Sequence, residues 1–139
     1  MFREHISVKA ADSATGLKGL YDLIGSGEGS RALRAAPLLR GASPYWYAAA
    51  RIRKSGDVIS EVILVLQGPD GTPRRLAEVE DAVLRGELAD ADQVLDAVKE
   101  MIVCEDDKDG SAAAKSFLAG WICADVIGRC LSDSDIGAD

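Results

Sequence analysis

Histidine is nearly absent from this chain. The single one, His5, lies far in sequence from the three cysteines, Cys104, Cys123 and Cys130. No C-x2-C pair is present, so no zinc site of Cys/His type follows from spacing. An odd number of cysteines does not build a disulfide framework, which points to reduced thiols and a cytoplasmic setting. Cys123 and Cys130 read as core residues. Cys104 lacks a neighbouring base, and Glu105 beside it would raise its pKa rather than activate it. There is no G-x-S-x-G elbow, and His5 has no sequence-defined partner as a general base. No apolar run approaches the length of about 18 residues that spans a bilayer. Residues 1–10 carry no apolar stretch of signal-peptide type. Aromatic residues make up only 5% of the chain. The sequence therefore nominates no catalytic set, no metal and no cofactor.

What is present is an uneven charge. The net charge is -7. Residues 31–76 hold eight basic and three acidic residues, and residues 77–139 hold five basic and sixteen acidic ones. A basic middle joined to an acidic end gives a dipolar surface able to steer a partner. With 139 residues, 47% of them hydrophobic, the chain has the size and composition of one globular domain, residues 1–139. The polar tail 132–139 is expected to fray.

Apolar periodicity organises the chain. Leu17, Leu20, Tyr21 and Ile24 make one helical stripe ended by Gly25. "GSGEGS" follows as a flexible loop, then a short helical piece from Arg31 that Pro37 interrupts. From Tyr45 to Leu66 the period changes to two. Trp46, Ala48 and Ala50 alternate with Tyr47, Ala49 and Arg51, and Val62, Leu64 and Leu66 alternate with Ile63 and Val65. Two strands joined at "KSGD" fit this. The register that sets Ile52 opposite Ser60 also sets Arg51 opposite Glu61. Both faces of the hairpin are apolar, so each needs cover from a helix or another subunit. "GPDG" turns the chain into a third strand, 72–76, whose Pro73 suits a sheet edge. Three helices complete the chain. The middle one opens with a capping box at Asp90 and Gln93, and the last is capped by Ser111, with Phe117, Leu118, Trp121 and Ile122 as its stripe. The expected fold is α+β: a three-stranded antiparallel meander packed against about four helices.

Two stretches invite a functional reading. Glu105, Asp107 and Asp109 alternate before Gly110, the opening of a helix-loop-helix calcium loop. The match then fails, because position 1 is Glu rather than Asp and position 12 is Ser116 rather than a bidentate Glu. A helix-to-helix connection with solvated carboxylates fits better. The second stretch, "GSGEGSR", offers backbone N–H groups at Gly27 and Gly29 beside Arg31 and Arg34 as an anion-binding candidate. It lacks the Walker lysine and follows a helix rather than a strand.

Tyr45, Tyr47, Arg51 and Arg53, with Arg74 and Arg75, combine the side chains enriched at protein interfaces, and Asp106, Asp107 and Asp109 form an acidic counterpart. The leading expectation is a small acidic protein-binding module. It would act stoichiometrically, without turnover, as an inhibitor or adaptor on a larger protein or complex, one option being a partner with a nucleic-acid-binding groove. A homodimer is a further option. The alternatives are a binder of a small phosphorylated ligand or of nucleic acid through the basic middle segment, or a small enzyme without a recognisable motif.

Overall fold

The computed structural model describes residues 13–25, 28–39, 41–88 and 90–137. The elements run α1 (Ser13–Ile24), β1 (Ser30–Ala36), β2 (Trp46–Ser55), β3 (Val58–Gln67), β4 (Pro73–Arg75), α2 (Ala77–Leu84), α3 (Ala91–Met101) and α4 (Ala112–Gly137). The four strands form one antiparallel sheet in the order β1-β2-β3-β4. It is an open meander packed against four helices, so the α+β class holds.

The additional strand is β1, where the sequence suggested a helical piece. "SRALRAA" consists largely of good helix formers, but that local preference is weak. Pairing with β2 along its whole length, Ser30 opposite Ile52 to Ala36 opposite Trp46, overrides it. Gly29 makes the entry feasible. Its φ is +119°, and a Cβ there would stand 2.8 Å from the carbonyl oxygen of Ile52.

The β2–β3 register lies two residues from the expected one. Ile52 faces Val62, and Arg53, not Arg51, faces Glu61. The strands run on to a two-residue turn at Gly56 and Asp57, and a bulge at Arg53/Lys54 leaves Ser60 without a ladder partner. An even shift preserves which side chains share a face. Trp46, Ala48, Ala50, Val62, Leu64 and Leu66 therefore still line one side. Gly68 leaves room for the indole, since a Cβ there would lie 2.8 Å from Trp46 Cζ3.

Helices α2, α3 and α4 cover that side. Leu76, Val79, Val83, Val94, Val98 and Ile102 join the sheet residues in the larger core. The buried row of α4 is Ala119, Ile122, Cys123, Val126, Ile127 and Cys130. Phe117 and Trp121, assigned to the core stripe from sequence, lie on the exposed flank instead. Close approach explains the rotation: Gly120 faces α3, where a Cβ would meet the carbonyl oxygen of Leu95 at 2.6 Å. The capping box at Asp90 and Gln93 is present, and Ser111 Oγ accepts from the N–H of Ala114. The backbone of α4 continues as helix to Gly137, through much of the tail expected to fray. On the opposite side, among the described residues, α1 covers the sheet, burying Leu20 and Ile24 against Tyr47, Ala49, Ile63 and Val65.

The two sheet edges differ. Past the short β4, the Glu80 carboxylate on α2 accepts the Leu64 N–H at 2.9 Å and clasps the Arg75 guanidinium at 2.7 and 2.9 Å. Glu80 is buried, not the ordinary helix-surface residue its sequence context suggests. It serves the outer hydrogen-bonding positions of β3 where no strand reaches.

Candidate functional site

The basic-aromatic candidates do not converge. Tyr47 is 2% exposed beneath α1. Tyr45 and Trp46 point away from it, edge to face with each other at 5.4 Å, and the Trp46 indole donates to the Lys115 carbonyl. The three consecutive aromatics thus serve two different cores rather than one stacking platform. Arg51 donates to the carbonyl of Glu28 and to Glu61 at 3.2 Å. Its Nε is buried without a hydrogen-bond partner. Arg53 reaches the same Glu61 at 3.5 Å. Arg75 is clasped by Glu80, which raises its pKa. Arg74 is exposed.

Of the anion-binding candidates, Gly27 lies outside the described residues. Arg31 donates to the Gly25 carbonyl and lies over the Tyr21 ring at 5.7 Å. Arg34 pairs with Asp125 at 3.2 Å and stacks on Trp121 at 4.9 Å. Both arginines are thus engaged by protein groups. Arg34, Asp125 and Arg129 form a bridged set, since Asp125 also holds Arg129 at 2.9 Å. Asp125 and Arg129 border an open groove of about 780 Å³ between β1, α3 and α4, with Arg31, Ala32, Leu95 and Trp121 also in its walls.

The acidic loop is held by its own hydrogen bonds and by one ion pair to α4. Asp106 Oδ1 accepts the N–H of Ala112 and so caps the start of α4. Asp107 and Gly110 exchange backbone hydrogen bonds in a tight turn, and the Asp109 N–H donates to Asp107 Oδ1. Asp109 itself reaches only Lys108, at 3.5 Å on the surface. The decisive group is Lys115, a residue the sequence reading passed over. Its ammonium donates to Asp107 Oδ1 at 2.6 Å and to the Glu105 carbonyl at 2.7 Å. The hydrogen bond holds the Asp107 carboxyl below its ordinary range, and the same bond raises the Lys115 pKa. Burial raises the Tyr45 phenol, while nearby Lys115 pulls the other way. Burial, rather than Glu105, also raises the Cys104 thiol.

The position of Lys115 did carry a signal. It sits four residues before Ala119, on the same helical row as Ile122, Cys123 and Val126. A lysine on an apolar row needs a buried partner. Among the described residues, no group of three His, Cys, Asp or Glu side chains is placed to hold a metal ion, and no helix is long and apolar enough to cross a membrane.

No family model matches the sequence, and no curated protein matches it. The fold does have solved likenesses. A carbon monoxide dehydrogenase from Hydrogenophaga pseudoflava, lacking the Mo-pyranopterin moiety of its molybdenum cofactor, superposes with a TM-score of 0.63 at 22% identity over 78% of this chain. Quinoline 2-oxidoreductase from Pseudomonas putida 86 gives 0.62 at 18% identity over 75%. A reconstituted CO dehydrogenase from Oligotropha carboxidovorans gives 0.59 at 18% over 73%. This chain covers only 39%, 37% and 36% of those chains. The likeness corrects the inhibitor-or-adaptor expectation and the leaning away from an enzyme, because the fold is shared with parts of CO dehydrogenases and a quinoline 2-oxidoreductase. What this chain is similar to is a domain-sized part, somewhat over a third, of a longer chain.

Proposed function

We propose that this chain works as a domain of a larger oxidoreductase assembly, comparable to the part of CO dehydrogenase and quinoline 2-oxidoreductase on which it superposes. The observation that carries the reading is the repeated likeness, at TM-scores of 0.59 to 0.63, to enzymes acting on different substrates. A fold shared across substrates supports a scaffold or cofactor-side part rather than a substrate pocket. The described residues supply no metal-ligand cluster. In this reading the redox centre is held by other parts of the assembly. This chain supplies a rigid sheet-and-helix body with an open flank at β1 and α4.

The test is purification of the chain under native conditions from its source cells, with molybdenum analysis and a dye-reduction assay on each fraction. The expected result is elution far above the 14.7 kDa of the chain alone, with molybdenum and dye-reducing activity in the same fractions. Elution as a lone 14.7 kDa species, with metal and activity elsewhere, overturns the proposal.

A further inference from the structure

At the loop of residues 105–110, Lys115 reaches in from the helix behind it to the Asp107 carboxylate and the Glu105 carbonyl. We propose that Lys115 is a tethered counter-ion: its ammonium substitutes for a bound cation and locks the loop to α4 and to the end of the sheet.

Three observations support this. First, the burial is lopsided. The Lys115 side chain is 2% exposed, whereas Asp107 is 51% exposed. The lysine has been drawn inward, away from water that a solvated ion pair would keep. Second, its donors are spent as a cation's coordination is. One goes to Asp107 Oδ1 and one to the Glu105 carbonyl, a carboxylate and a main-chain oxygen of the kinds that ligate hard cations. The Tyr45 ring lies beside it, its centroid 5.7 Å from the ammonium. Third, the anchoring reaches beyond the loop. The Lys115 carbonyl receives the Trp46 indole N–H at 2.9 Å, so a single residue ties loop, helix and β2 together. The second half of the loop can therefore continue directly into helix at Ala112 without supplying ligands.

Removing the lysine side chain should leave a cradle of carboxylate, carbonyl and phenol around a space of ammonium size. The experiment compares wild type, Lys115→Ala and Lys115→Met by thermal melting. Each is measured in ethylammonium chloride, tetramethylammonium chloride and sodium chloride at equal ionic strength. Lys115→Ala is expected to melt about 5 °C or more below wild type. Ethylammonium should restore a large part of that loss, and the bulky or unfunctionalised salts should not. Lys115→Met fills the space without a charge, so it should lose stability without rescue. Equal effects of all three salts on Lys115→Ala, or a Lys115→Met variant as stable as wild type, overturn the proposal. Should Lys115→Ala fail to fold, amide exchange in Lys115→Met decides. The Asp109 and Ala112 N–H groups should exchange about tenfold faster than in wild type, and unchanged protection overturns the proposal.

Discussion

The two faces of the sheet are covered very differently. On one side three helices and the buried row of α4 build a continuous core around Trp46, Ile52, Leu64 and Ile122. On the other, a single helix lays Leu20 and Ile24 over Tyr47, Ala49, Ile63 and Val65. The contrast separates what holds the molecule together from what merely closes it. Ile122 is fully buried in the larger cluster, among residues of the sheet and of three helices. Leu20 belongs to the smaller cluster between α1 and the sheet, which is expected to open locally before the larger core does. Ile122→Ala is expected to cost about 2–5 kcal/mol of global stability, the range for such a cavity. In a urea titration its transition midpoint should fall with the slope unchanged. Leu20→Ala should act locally. Amide exchange should quicken in α1 at a much smaller cost to the global midpoint. Equal global losses from the two variants would show that α1 is as integral as the helical face.

The helical face can also be disturbed from within. At Gly120 α4 lies close against α3, and a Cβ there would stand 2.6 Å from the Leu95 carbonyl oxygen. That is main chain and cannot swing aside. Gly120→Ala should force the helices apart at about 1–3 kcal/mol, in the manner of an overpacked core. Gly128 on the same helix has nothing within 4 Å of its added Cβ, so Gly128→Ala is the control and should be neutral or slightly stabilising through helix propensity. A thermal melt of the pair reads the difference directly.

The sheet edges repeat the contrast on a smaller scale. Beside β4 the Glu80 carboxylate serves the Leu64 N–H, while the outer edge of β1 borders an open groove. Glu80→Ala orphans a buried N–H and frees Arg75, which should cost about 1–3 kcal/mol. Glu80→Gln keeps an acceptor for Leu64 and should recover part of the loss. A double-mutant cycle with Arg75→Ala apportions the remainder.

How much of this was legible in the sequence depended on whether a local pattern had a competitor. The β2 and β3 alternation had none, so the shared face of Trp46, Ala48, Val62 and Leu64 was readable. The exact register was not, because the bulge at Arg53/Lys54 and the short turn at Gly56 moved it by two. The capping box at Asp90 and Gln93 is a purely local device and is present as written. β1 was misread because alanine, arginine and leucine favour helix in isolation, while its seven-residue pairing with β2 is a long-range fact. The α4 face was misread because large aromatics outweigh small residues in a stripe count. Here Gly120 and Ala119 are what allow close packing, and Phe117 and Trp121 are pushed to the rim. Tyr47 and Arg51 were grouped with Arg53 by sequence proximity, whereas alternation buries Tyr47 under α1. The apolar row around Lys115 signalled the need for a partner, but nothing local named Asp107 as that partner.

That last contact sets the smallest expected effect and the sharpest sign. The Asp107 carboxyl titrates below the ordinary 3.8 because the Lys115 ammonium and the Asp109 N–H favour its ionised form. A carboxyl whose folded pKa is depressed contributes stability that is fully present above the unfolded value and is lost as pH falls through the folded one. The contribution of Asp107 should therefore be intact from neutral pH down to about 4 and should fade only below 3.8. Asp107→Asn should remove this acid-side dependence and leave the neutral-pH dependence of stability unaltered in shape. Carboxyl NMR titration of Asp107 checks the direction, and a midpoint at or above 3.8 contradicts the clasp. Lys115→Met supplies the cross-check, because without the ammonium the Asp107 midpoint should rise toward its ordinary value. The rise should be confined to this residue. Exposed Glu87, lowered by its own partner Arg85 at the end of α2, should not move. If Glu87 shifts as well, the loss of Lys115 has loosened the helical face as a whole, and the loop cannot be treated as a separate device fastened to it.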